Sequence, residues 1–131
     1  MIYVWVMLGS ALGGGARYYF SGLVANSFGE TFPFGTVIVN ITGCFIIGFF
    51  ATLTGPDGRL FVRTEGRQFV MTGICGGYTT FSSFSLQTLN LVSDGEIGLA
   101  GANVVGSLLF CLLAVWAGHV AALWLNQLKG V

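Results

Sequence analysis

Three stretches of this chain contain no aspartate, glutamate, lysine or arginine: Thr31–Pro56, Gln68–Ser93 and Ile97–Leu128. A helix needs about 20 predominantly apolar residues to cross the hydrocarbon core of a bilayer, and each stretch is long enough. A further run, Met1–Gly29, is interrupted only by Arg17. The pattern predicts an all-α membrane protein, a single domain over 1–131 with four spans near 2–24, 35–54, 69–92 and 98–125. The connectors Asn26–Phe34, Gly55–Arg67 and Ser93–Ile97 hold most of the charges, with Gly and Pro as punctuation. Charged residues are only 8% of the chain, against about 25% in soluble proteins.

The first span lacks the basic n-region of a cleavable signal peptide and is too long and aromatic for an h-region. Trp5, Tyr18, Tyr19, Trp116 and Trp124 lie toward span ends, where aromatic belts anchor helices at the membrane interface. Four of the five basic residues, Arg59, Arg63, Arg67 and Lys129, lie in the second connector and the tail. With four spans these segments share a side, which favours both termini in the cytoplasm.

The composition excludes several functions. Net charge is formally zero and there is no basic run, so nothing marks a nucleic-acid surface. Cys44, Cys75 and Cys111 fall on three spans without paired spacing and read as reduced, packed thiols. His119 is alone on the last span and reads as a hydrogen-bonded structural residue. No metalloprotease, nucleophile-elbow or nucleotide-binding motif and no carboxylate pair appears, so the chain is not expected to be an enzyme.

The third span is unlike a lipid-facing helix. Residues Gly73–Thr88 read GICGGYTTFSSFSLQT, with a tandem glycine, a series of hydroxyls, Gln87 and two phenylalanines three residues apart. A Gly-Gly pair weakens a helix, and hydroxyls in hydrocarbon need partners. A break is therefore expected at Gly76-Gly77, freeing carbonyls that are hard ligands for Na⁺ or K⁺. Beyond it, helical geometry places Thr80, Ser83, Phe84 and Gln87 on one face. Phe81 and Phe84 are neighbours whose positive ring edges can line a route for an anion. Asn40 adds an amide in the second span and Ser107 a hydroxyl in the fourth. Arg17 either reaches the interface or marks a vestibule. Small residues at Gly9/Gly13 and Ala102/Gly106 read as helix-packing pairs.

These segments carry a resemblance. With GGGARYYF in the first span, FGTVIVNITG in the second, GGYTTFSSFS in the third and NVVGSLL in the fourth, the chain resembles the Fluc (CrcB) family of bacterial fluoride channels. The resemblance implies a multi-pass protein of the bacterial inner membrane, surrounded by lipid. It implies an antiparallel, dual-topology homodimer with two fluoride pores, and it overrides the one-sided bias of the loop charges. It implies a structural Na⁺ at the dimer centre, held by the carbonyls of Gly76 and Thr79. By the same resemblance Phe81 and Phe84 face the pore, Asn40 positions them, and Thr80, Ser83 and Ser107 form a polar track. Arg17 matches an arginine at the end of the first helix. Gln87 stands where the family usually has glutamate, keeping hydrogen bonding but losing ionisation.

Two rival readings belong to other classes. A small proton-coupled multidrug-type transporter needs a membrane-embedded carboxylate, and the spans contain none. A protein that only dimerises through its glycine faces leaves the Thr/Ser/Phe register without a purpose.

Overall fold

The structure, a computed structural model, describes residues 1–128. Lys129, counted above among the basic residues of one side, lies outside them. The described chain is all-helical. Helix α1 spans Ile2–Phe28 and α2 spans Phe34–Leu53. The third pass is composite: α3 (Thr64–Gln68), a π-helical segment (Phe69–Cys75), α4 (Gly76–Tyr78) and, after an interruption, α5 (Phe81–Ser93). Helix α6 runs over Ile97–Gln127. Of these, α2 and α6 are long and apolar enough to cross a membrane.

The helices cover the expected spans, and the third helical stretch starts earlier than expected, at Thr64. Arg67 belongs to α3 rather than to the connector. Its guanidinium reaches back to the end of α2, donating to the Thr54 carbonyl at 2.6 Å and to the Thr54 hydroxyl. A cation at a helix C-terminus meets the negative end of the dipole and satisfies carbonyls that have no intrahelical donor. Arg59 is tied down as well, its amide donating to Asn126 Oδ1 at 3.0 Å.

Helices α2 and α6 run parallel. Thr52 pairs with His119 and Gly48 meets Val115 at the same sequence separation of 67, which only co-directional helices produce. The seam between them is made by glycines. A Cβ on Gly48 would overlap the Val115 carbonyl, and one on Gly118 would overlap that of Phe45. His119 takes the structural place expected of it, its Nδ1 lying 2.7 Å from the Thr52 hydroxyl.

Helix α1 packs on the first half of the third pass in the same manner. Gly9 and Gly13 are buried, and a Cβ on Gly73 would come within 2.9 Å of the Gly9 Cα. A Cβ on Gly77 would sit 2.5 Å from the Ser10 carbonyl oxygen. Small residues let backbones touch and so gain dispersion contacts where lipid offers no hydrophobic drive. The Ala102/Gly106 pair behaves otherwise: Ala102 is exposed and Gly106 faces open space, so it packs nothing within this chain.

The burial pattern is that of a bundle without an apolar stripe. Val39 and Ala122 are fully buried, but so is Asn103, while Leu112, Leu113, Trp116 and Trp124 are exposed. A helix apolar all round needs an apolar surrounding on its outer face.

Candidate ion pathway at the broken third pass

The break does not fall at the tandem glycine. Gly76 is helical, with φ −65° and ψ −37°, and α4 continues to Tyr78. The interruption is at Thr79 and Thr80, which are extended, with ψ 155° and 115°. Gly77 is required by the close approach of α1, so it serves packing rather than flexibility. β-branched threonines tolerate extended backbone well, and both hydroxyls here stabilise the ends they interrupt. Thr79 Oγ1 donates to the Cys75 carbonyl at 2.9 Å, closing the first piece. Thr80 Oγ1 accepts from the Ser83 amide at 3.2 Å, an N-cap that opens α5.

The backbone group at the gap is held by Asn40. Its Oδ1 accepts from the Thr80 amide at 2.7 Å, and its Nδ2 donates to the Thr80 carbonyl at 3.1 Å. The side-chain amide thus pairs with Thr80 as a neighbouring peptide would. A second consequence lies one turn back. The amide that a continuous helix would aim at the Gly76 carbonyl is committed to Asn40, and Gly76 is exposed. Arg17 holds the next carbonyl, its Nε donating to Gly77 O at 3.1 Å. It reaches across to the end of α4, a contact that neither expected direction, the interface or a vestibule, had named.

Five of the expected pathway residues come together. Asn40, Thr80, Phe81, Phe84 and Ser107 line one cavity of about 250 Å³, with Thr79, Cys44 and Cys111. The Phe81 and Phe84 rings have centroids 5.3 Å apart at an angle of 47°. Phe81 is 74% exposed, an aromatic ring beside a cavity with nothing of its own chain to cover it.

Two expected members stand elsewhere. Gln87 does not share the cavity: it lies on α5 one turn beyond Phe84, toward the connector that follows Ser93. Gln87 lines a separate space of about 580 Å³ with Tyr18, Glu30 and Asp94 near the connectors, where its Oε1 is buried without a hydrogen-bond partner. Ser83 lies beside Thr80, accepting from its hydroxyl at 3.2 Å, but is not part of the cavity lining.

Ser107 leads to a residue that the sequence reasoning passed over. Its hydroxyl donates to Asn103 Oδ1 at 3.3 Å. Asn103 is 1% exposed, and its Nδ2 donates to the Thr88 hydroxyl at 2.9 Å. Thr88 in turn donates to the Phe84 carbonyl at 2.8 Å. This chain of donors fixes α5, with its phenylalanines, against α6. The signal was present in the NVVGS segment, since an amide in an apolar span needs a partner. Among the described residues no group of three or more His, Cys, Asp or Glu could hold a metal.

The same segments align with known proteins. Residues 4–119 match the family described as CrcB-like protein, Camphor Resistance (CrcB). The chain is 64% identical over 129 residues to the fluoride-specific ion channel FluC of Opitutus terrae, covering 98% of each chain. It is 58% identical to that of Methylocella silvestris, covering 99% of each, and 57% identical to that of Rhodospirillum rubrum, covering 97% of this chain and 98% of that one. A bundle of glycine-packed helices around a clamped break, matched over nearly its full length, places this chain in the CrcB family.

Proposed function

We propose that this protein is a fluoride channel of the bacterial plasma membrane, conducting passively through pores at the interface of an antiparallel homodimer. The observation that carries the reading is the cavity at the break, which joins Asn40, Thr80, Phe81, Phe84 and Ser107 from separate passes. Ring edges attract an anion without the tight grip of a fixed charge. Asn40 keeps a second Nδ2 hydrogen beyond the one given to Thr80, a donor for an ion stripped of water. A narrow route with such donors compensates the dehydration of small fluoride while excluding larger chloride. A negative-inside potential then drives the anion outward. Relatives at 64% and 58% identity bear the name of fluoride-specific ion channels, which supports the same reading.

The dimer accounts for what one chain leaves open. Phe81 and Gly76 are exposed beside the break, and the Ala102/Gly106 pair faces away from the bundle. A second copy, inverted in the membrane, would cover them. A structural Na⁺ at the dimer centre belongs to the proposal, with the carbonyls of Gly76 and Thr79 as ligands. The donor set fits: Gly76 O lacks the amide a continuous helix would supply, and extended Thr79 turns its carbonyl out of the helical ladder. Two carbonyls from each chain give a hard-oxygen set suited to such an ion. When bound, the ion supplies positive potential to nearby anions.

Reconstitution in liposomes with a fluoride electrode tests the reading. Potential-driven fluoride efflux, faster than chloride efflux and independent of a proton gradient, is expected. Efflux no faster than from protein-free vesicles would overturn it.

A further inference from the structure

Cys44 on α2 and Cys111 on α6 have no part in the reading above. Both line the cavity, at the same sequence separation of 67 that joins Thr52 to His119 and Gly48 to Val115, and both are free. Their spacing is set by backbone. One turn further along, Gly48 meets Val115 so closely that a Cβ at Gly48 would overlap the Val115 carbonyl. The next turn is the Thr52–His119 hydrogen bond. The seam cannot readily spread, and the two thiols are presented as a pair. Cys75 is buried and outside the cavity.

Two thiols without a third ligating side chain cannot build the tetrahedral site that zinc prefers. They match a soft d10 cation that accepts two sulfurs. We propose that Cys44 and Cys111 form a two-thiolate site for mercuric ion in the cavity wall. A bare cation is opposed by hydrocarbon, but neutral mercuric chloride is not. In the reaction two Hg–Cl and two S–H bonds break, two Hg–S bonds form, and two chloride ions and two protons leave. No electrons are transferred. The proton release follows from thiolate being the metal-binding form. That the bound metal also blocks fluoride rests on the pore reading.

The test uses purified full-length protein treated with mercuric chloride, freed of excess reagent and weighed by intact mass spectrometry. One mercury per chain is expected, with two of the three thiols no longer titratable. Cys75→Ser should match wild type. Cys44→Ser and Cys111→Ser, and the Ala versions that preserve apolar packing, should hold mercury about a hundredfold less tightly against competing glutathione, because the second sulfur adds by effective concentration. Retention of mercury by either single variant as in wild type, or its loss in Cys75→Ser, would overturn the site. Fluoride efflux is read in parallel. Mercury bound at the pair with efflux undiminished would leave the site standing and count against the cavity as the pore.

Discussion

At the scale of single residues, Asn40 stands out because it replaces a peptide neighbour. A helix cannot lose its ladder at membrane depth unless something satisfies the freed groups. Here one side chain takes both the Thr80 amide and its carbonyl. Asn40→Ala should leave both groups unpaired, at about 1–3 kcal/mol for each, and lower the thermal midpoint in detergent as well as the flux. An unchanged midpoint would show that the clamp is dispensable. Phe81→Ala and Phe84→Ala should reduce fluoride efflux while the protein keeps its elution volume on a sizing column. Gln87→Glu lies outside the cavity, and efflux should change less than with either phenylalanine variant. A larger loss from Gln87→Glu would relocate the narrowest part of the path toward the connectors.

At the scale of elements, glycine does two things that a sequence does not distinguish by itself. The tandem Gly76-Gly77 has the composition of a weak point, yet the helix passes through it. Its purpose became visible only with Ser10 of α1 pressed against Gly77. The interruption follows instead from Thr79 and Thr80, whose hydroxyls cap both ends, and from a partner forty positions away. The helical passes and the residues of the cavity were legible because charge-free length and in-span polarity are local properties. The π-helical stretch Phe69–Cys75 was not, since it depends on how α1 lies against it, and neither was the inward turn of Arg17. The packing role makes a clear expectation. Gly13→Ala and Gly77→Ala should each destabilise by about 1–3 kcal/mol through overpacking. Gly15 faces open space on the same helix, so Gly15→Ala should be neutral or stabilise by up to about 1 kcal/mol. Thermal unfolding of the three variants side by side measures the contrast, and equal losses in all three would refute it.

At the scale of the whole molecule, the described chain leaves its cavity open on one side. Its cavity is edged by a phenylalanine that is 74% exposed, and Gly76 beside the break is exposed as well. A cysteine placed at Gly106, on the face that packs nothing within the chain, should cross-link two copies in membranes under mild oxidation; Gly106→Cys remaining monomeric on a non-reducing gel would argue against that face. The polar groups around the cavity carry a last consequence. Ser107, Asn103, Thr88 and Phe84 are joined donor to acceptor, and Thr80, Ser83 and Asn40 are joined likewise. Dipoles already fixed by one another need little reorientation when a charge arrives, as in preorganised catalytic sites. On the proposed function, the wall would act on a passing ion as a stiff solvent, one whose polarisation was set when the chain folded.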